Sequence, residues 1–219
     1  SDVYKRQAEE LIRFAKNCTY DRFSIGKTVI LTNNIDLESS EFTPIPIFGG
    51  TFDGGGYTIS GLYLSGKETY QGLFRYIQSG ATVRNLKIEG IIKPSGEKSF
   101  IGGIAGKNEG TIEKCSFAGV VNGTDSVGGI AGINSTSGII MGSTVSGGIY
   151  GESKIGGIAG SNSGTILQCT NTAQINTVIE EHQFSFESIT IDDIKATNDV
   201  KEISDIGGIA GINTGIIQN

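Results

Sequence analysis

Few side chains in this sequence belong to the types that perform catalysis or bind metals, and His182 is the only histidine among 219 residues. A zinc peptidase motif needs two histidines one helical turn apart, because both must face the metal. A serine triad would have to use His182, and no GxSxG turn lies near it. Zinc peptidase chemistry is therefore excluded from these residues, and a serine triad is not expected.

Paired carboxylates are the other candidates for acid and base chemistry. Such pairs are Glu180 with Glu181 and Asp192 with Asp193, and Asp53 stands alone in the stretch FDGGG. We interpret Asp53 as a turn residue before glycines and the two pairs as solvated charge. An acidic cluster beside a basic residue would indicate a calcium-dependent polysaccharide lyase. The outward positions instead hold serine, threonine, lysine and glycine, which favours a non-catalytic protein.

The amino-acid composition limits which ligands and partners the chain is expected to bind. Three cysteines without a CxxC pair predict neither a disulfide framework nor a zinc site. The net charge of -6 repels phosphate backbones, so nucleic acid is not an expected partner. No run of apolar residues is long enough to span a membrane. We expect neither a cofactor nor a metal.

The candidate residues discussed above are held on a scaffold that is built from a sequence repeat. The signature GGIAG follows Ile101, Val127, Ile155 and Ile206, at spacings of 26, 28 and 51 residues. Such periods indicate a solenoid or propeller, and a propeller blade needs about 40 to 45 residues. The short apolar stretches between glycines predict short strands joined by tight corners. We therefore predict an all-β fold, namely a right-handed, single-stranded parallel β-helix with a short N-terminal capping helix.

In such a coil, equivalent residues of successive repeats stack in columns. One predicted interior column contains Ile104, Ile130, Ile158 and Ile209. A second row lies at a corner, where asparagine tolerates left-handed backbone and stacked amides can hydrogen-bond from coil to coil. This predicted ladder contains Asn108, Asn134, Asn162 and Asn213. A ligand-binding asparagine row is the alternative interpretation.

Cys115 and Cys169 fall in another interior column, with Ser143 between them. Two rungs separate the two cysteines by about 9.6 Å, because neighbouring strands lie about 4.8 Å apart. That distance exceeds the roughly 7 Å limit for a disulfide. We therefore interpret both cysteines as small core residues.

The chain is predicted to form one β-helix domain. Residues 1–7, SDVYKRQ, look like a translated sequencing adapter, and we exclude them from the fold. The segment from Ala8 to Asn17 is the one convincing helix, with Leu11 and Phe14 on its apolar side. The predicted boundaries are 8–219 for the domain, 8–26 for the capping helix and loop, 27–100 for the first coils, 101–219 for the GGIAG coils, and about 176–205 for an insert.

The insert accounts for the spacing of 51 residues before the last GGIAG copy. It is either a hairpin-like excursion or an extra degenerate coil, and insertions in solenoids often carry binding. Its candidate contact residues are His182, Phe184, Phe186, Asp192 and Asp193. The last repeat stops in mid-pattern, so we expect a fragment of a longer protein whose open final coil frays or associates end to end.

The block [IV]-G-G-I-A-G-x-N-x-G-[TI]-I resembles the GLUG repeat family, and the preceding GTFDGGGYTISGLYL resembles the coil that commonly precedes such repeats. The resemblance covers roughly residues 8–219 outside the insert. It implies a β-helix in a large secreted or wall-attached bacterial protein, as found beside some immunoglobulin A1 peptidases and in adhesin-like proteins. It supplies no catalytic residues that could be transferred.

The resulting expectation is a non-catalytic, extracellular β-helical repeat module of a larger bacterial surface protein. It would act as a stalk or as an adhesive, ligand-binding surface. Its expected partners are a glycan or a protein of a host or cell surface and the rest of the parent polypeptide. The alternatives are a polysaccharide-active β-helix, of lyase or glycoside hydrolase type, and a non-catalytic region of a surface peptidase.

Overall fold

A computed structural model of the chain describes residues 2–38, 40–95, 98–176 and 204–219, with only the backbone of residues 2–6. These residues form one helix, α1 (Asp2–Asn17), and 24 short strands. The strands of the first coils are β1 (Thr28–Ile30), β2 (Ile35–Asp36), β3 (Ile45–Phe48), β4 (Thr51–Asp53), β5 (Thr58–Leu64), β6 (Phe74–Ile77), β7 (Thr82–Arg84) and β8 (Lys87–Ile92).

The remaining strands belong to the GGIAG coils. They are β9 (Ser99–Gly102), β10 (Ala105–Asn108), β11 (Thr111–Glu113), β12 (Ser116–Asn122), β13 (Asp125–Gly128), β14 (Ala131–Asn134), β15 (Ile139–Met141), β16 (Thr144–Tyr150), β17 (Ser153–Gly156), β18 (Ala159–Asn162), β19 (Thr165–Leu167), β20 (Thr170–Asn171), β21 (Gln174–Ile175), β22 (Ser204–Gly207), β23 (Ala210–Asn213) and β24 (Ile216–Gln218).

The strands stack into four parallel sheets that run along the molecule. Sheet A has the order β1-β4-β7-β11-β15-β19-β24, and sheet B has β2-β5-β8-β12-β16-β20, with β21 also on β16. Sheet C has the order β3-β6-β10-β14-β18-β23, and sheet D has β9-β13-β17-β22. The first three GGIAG coils each visit sheets D, C, A and B in turn, and the last has described strands in sheets D, C and A. The predicted all-β parallel solenoid is therefore confirmed.

The core is the interior of this tube, and it is filled by columns of equivalent side chains. In sheet A, Ile112 pairs with Ile140, which pairs with Ile166. In sheet B, Val121 pairs with Ile149. All five side chains are buried, and each contributes roughly 1.5–3 kcal/mol by leaving water. The repeat stabilises the fold because every coil adds the same set of buried contacts to its neighbours.

The helix α1 covers the N-terminal end of the tube, as predicted. It contacts β2 and β3, and Leu11 and Ala15 are buried against the core. The ring of Phe14 lies 6.2 Å from that of Phe48 in an edge-on arrangement. The helix begins at Asp2 instead of Ala8, because residues 2–7 contain neither glycine nor proline and continue the helical backbone. No described helix is both long and apolar enough to cross a membrane.

The coil before the insert and the coil after it are direct neighbours. The strand β22 pairs with β17, β23 with β18, and β24 with β19. The amide of Asn176 still donates to Ile149 O at 2.9 Å, and the amide of Ser204 donates to Glu152 O at 3.0 Å. These two coils are therefore in direct contact, and no further coil lies between them. Residues 177–203 lie outside the described residues, and a hairpin-like excursion for the insert stays a prediction.

Candidate functional site

The three glycines of each of the first three GGIAG copies are required by close approach of backbones. A Cβ on Gly128 would lie 2.7 Å from the Cα of Ala159, and one on Gly129 would lie 2.4 Å from a carbonyl oxygen of the next coil. A Cβ on Gly132 would lie 2.3 Å from the carbonyl carbon of Phe100, in sheet D. Real Cβ atoms do not approach other atoms this closely, so only glycine fits. The motif is therefore steric in origin.

The isoleucine of the motif forms a continuous interior column. The amide of Ile104 donates to Ile130 O at 2.9 Å, and the amide of Ile130 donates to Ile158 O at 2.9 Å. These three side chains are fully buried. Ile209, in the last described coil, is partly buried and packs against the same core.

The asparagine of the motif forms a hydrogen-bonded amide ladder inside the corner between sheets C and A. Asn108 Nδ2 donates to Asn134 Oδ1 at 2.8 Å, Asn134 Nδ2 donates to Asn162 Oδ1 at 2.8 Å, and Asn162 Nδ2 donates to Asn213 Oδ1 at 2.7 Å. The first three asparagines are buried, with no more than 1% of their surface exposed. Their amides hold neighbouring coils together and are not displayed to a ligand.

We predict that Asn134→Ala lowers stability markedly. It leaves Asn108 Nδ2 without its amide acceptor and Asn162 Oδ1 without its donor, and each buried unpaired group costs about 1–3 kcal/mol. A fall in the thermal midpoint of several degrees is expected, since 1 kcal/mol shifts it by about 2–4 °C at this size. The matched control is Asn213→Ala at the exposed end of the ladder, which removes one amide hydrogen bond instead of two, so a clearly smaller fall is expected. Equal effects of the two substitutions would contradict a cooperative ladder.

The interior column that contains Cys115 and Cys169 shows no sign of thiol reactivity. Cys115, Ser143 and Cys169 occupy successive coils, and the amide of Cys115 donates to Ser143 Oγ at 3.2 Å. Both cysteines are buried free thiols. Burial raises the pKa of Cys115 to about 12 and also raises the pKa of Cys169. The thiolate is the reactive form, so neither side chain is poised as a nucleophile.

The side chain of Asp53 stabilises a turn. Its Oδ1 accepts hydrogen bonds from Gly55 N at 3.0 Å and from Asn85 Nδ2 at 3.1 Å. Its Oδ2 lies 2.9 Å from Arg84 Nε. The hydrogen bond from Gly55, then that from Asn85, and the Arg84 guanidinium hold the pKa of Asp53 below its usual value. Both oxygens are engaged by neighbours, which fits the interpretation of Asp53 as a turn residue.

The predicted contact residues of the insert lie outside the described residues, as do Glu180 and Glu181. These contact residues are His182, Phe184, Phe186, Asp192 and Asp193. What the described residues establish is where the insert is attached. Asn176 follows β21, the last strand segment of sheet B, and Ser204 begins β22 in sheet D.

Other long connections also follow strands of sheet B. Two-residue corners join β12 to β13 and β16 to β17, but residues 37–44 join β2 to β3 and residues 93–98 join β8 to β9. Residues 65–69 precede Tyr70, which meets sheet D. We call this side of the tube the long-loop edge. Loops at one edge of a solenoid are where binding surfaces commonly arise.

A cleft of about 700 Å³ opens at the long-loop edge between the first two long loops. Its lining includes Glu41, Tyr63, Glu68, Gln71 and Arg75. None of these residues stands out from the sequence alone. One signal does exist for Gln71, because YQG at residues 70–72 aligns with FIG at 100–102 and places a glutamine where the GGIAG coils have isoleucine or valine.

The described residues contain no group of three or more histidine, cysteine, aspartate or glutamate side chains arranged to hold a metal ion. One polar group on the outer surface joins Tyr76, Glu109 and Lys107. Tyr76 donates to Glu109, and Lys107 Nζ lies 2.8 Å from Glu109 Oε1. Burial and this hydrogen bond raise the pKa of Tyr76 to about 12. The carboxylate of Glu109 is therefore already bound by Tyr76 and Lys107.

Comparison with known proteins gives one short match. A segment of 88 residues is 35% identical to halomucin from Haloquadratum walsbyi (strain DSM 16790 / HBSQ001). The match covers 39% of this chain and 1% of halomucin. No family model and no solved structure matches the chain.

Proposed function

We propose that this chain is a non-catalytic β-helical repeat module of a larger extracellular protein, in which the coils act as a stalk and the long-loop edge as a contact surface. The observation that carries the proposal is the constant register of the GGIAG coils. From one of these coils to the next, sheets A, C and D continue with equivalent residues opposite each other. A stack of this kind gains length, about 4.8 Å per coil, without changing its cross-section.

Two observations support a role within a larger protein. The segment similar to halomucin is a very small part of that long protein, as expected of a module within an extended chain. The GGIAG pattern also resembles GLUG repeats, which suggests a bacterial cell surface. A polysaccharide-active β-helix is the competing function, and it would require cleavage of a glycan.

The stalk proposal predicts that a whole coil can be removed. Deletion of residues 127–154 joins Ser126 to Ile155, and Ile155 is the register partner of Val127. The shortened protein should fold to the same β-rich structure and lose about 4.8 Å of length. Circular dichroism, thermal melting and small-angle X-ray scattering would measure this.

The control is deletion of residues 127–140, half a coil, which joins residues that are not equivalent and should prevent folding. If the whole-coil deletion unfolds as completely as the half-coil deletion, the coils are not interchangeable units and the stalk proposal fails. A melting midpoint a few degrees below that of the intact chain is acceptable, because one coil interface has been lost.

A further inference from the structure

The cleft at the long-loop edge contains a buried polar group that the fold does not need. Gln71 is only 2% exposed and lies in the column that continues as Ile101, Val127, Ile155 and Ile206. Its Nε2 donates to Glu68 O at 2.8 Å, but its Oε1 has no hydrogen-bond partner among the described residues. An isoleucine would fill this position without an unpaired acceptor. A buried amide that the fold would do better without calls for an explanation outside the fold.

Gln71 lines a cleft of the size that small ligands occupy. The volume of about 700 Å³ falls within the range of roughly 300–1,000 Å³ typical of ligand sites. Tyr63, on β5, points outward at its rim and is 61% exposed. Its flat ring has an apolar face and a polar hydroxyl, which suits a ligand with both kinds of surface.

The charges around the cleft select the kind of ligand. Glu38, Glu41 and Glu68 supply three carboxylates, and Lys67 and Arg75 supply two cations, so the lining is close to neutral. Arg75 is paired with Glu68, whereas Glu38 and Glu41 form no ion pair among the described residues. The free groups are therefore mainly acceptors, and Lys67 is the one cation of the lining without an ion pair among the described residues.

From this geometry we propose that the cleft binds a segment of an uncharged glycan. Hydroxyl groups donate to the carboxylate of Glu41 and to Gln71 Oε1, which is shielded from solvent and turns toward the cleft when the ligand binds, while the C–H face of a sugar ring packs on Tyr63. A sugar supplies several donors without charge, which is what the unpaired acceptors and the balanced rim require. This inference rests on the proposed contact function of the long-loop edge and names its ligand class.

The test is an array of neutral, acidic and basic glycans, followed by calorimetric titration of the 219-residue chain with each oligosaccharide that binds and with a lysine-rich decapeptide. At least one neutral oligosaccharide should bind, and Tyr63→Ala should weaken its binding tenfold or more. Gln71→Ile should weaken binding similarly while the melting midpoint stays the same or rises. The matched control is Tyr20→Ala, since Tyr20 is 75% exposed and does not line the cleft; its affinity should be unchanged.

Three results would overturn the proposal: no neutral glycan binds, only the decapeptide or an acidic glycan binds, or Gln71→Ile keeps full affinity. The last result would mean that Gln71 is merely a poorly satisfied core residue. Bound glycans should also be recovered intact. Appearance of new reducing or unsaturated ends would leave the cleft as a binding site but replace the stalk function by the polysaccharide-active one, so the two failures are distinguishable.

Discussion

Ile130→Asp is expected to abolish cooperative folding of the central coils. Ile130 is fully buried, and its backbone is hydrogen-bonded to Ile104 on one side and Ile158 on the other. A carboxylate placed there has no cation or donor to pair with, and burying an unpaired charge is among the most costly changes in a protein. We expect a loss on the order of 5 kcal/mol, visible as a collapsed thermal transition and loss of amide protection in β10, β14 and β18.

The matched control is Ile133→Asp, in the same coil. Ile133 is half-buried on the outer face of sheet C and lies opposite Lys107, so a carboxylate there meets water and a nearby cation. Its melting midpoint should stay within a few degrees of the parent. If Ile130→Asp melted as Ile133→Asp does, the interior column would face solvent and the register of sheet C would be incorrect.

The repeat makes the ladders predictable because a register in a β-helix leaves little freedom. Aligning the GGIAG copies places Ile104, Ile130 and Ile158 opposite each other, and a slip of one residue would turn the whole column outward. The asparagine ladder follows by the same argument, since Asn134 keeps a constant offset from its glycine. Periodicity therefore predicts both the sheets and which side chains they bury.

The cleft escapes such prediction because the loops that form it do not repeat. Residues 37–44 and 65–69 share no pattern with each other, and only folding brings Tyr63 near Gln71. The sequence directs attention to the acidic and aromatic insert instead, because that segment is conspicuous by length and composition. The residues to which the insert is attached, Asn176 and Ser204, lie on the same side of the tube as the other long loops, but the spatial clustering of these loops depends on where each corner of the tube falls.

The start of α1 differs from prediction for a local reason. Excluding residues 1–7 as foreign sequence leaves Ala8 as the first candidate residue, whereas helix formation depends on backbone compatibility and on the packing of the following turns. Leu11 and Ala15 anchor the helix on the tube, and a residue that neither breaks nor caps the helix can simply extend it. The origin of a segment and its conformation are thus separate questions.

Gly129→Ala is expected to destabilise the central coils strongly. The added Cβ would lie 2.4 Å from Gly157 O and 2.4 Å from Val145 Cγ1, and the carbonyl belongs to the next coil of the tube. The carbonyl oxygen of Gly157 cannot move away without separating the two neighbouring coils. Overpacking of this kind typically costs about 1–3 kcal/mol and sometimes more, so we expect the upper end, or a drop of about 6–12 °C in the melting midpoint.

The chain provides its own control at the equivalent position of another copy. A Cβ on Gly208, the second glycine of the last motif, meets nothing within 4 Å among the described residues. Gly208→Ala should therefore leave the melting midpoint unchanged in the 219-residue chain, although the local sequence IGGIAG is the same as in other copies. Equal losses from Gly129→Ala and Gly208→Ala would show that the glycine is needed for its own backbone conformation. A loss of stability confined to Gly129→Ala would show that this glycine of GGIAG is required because the next coil packs directly against it.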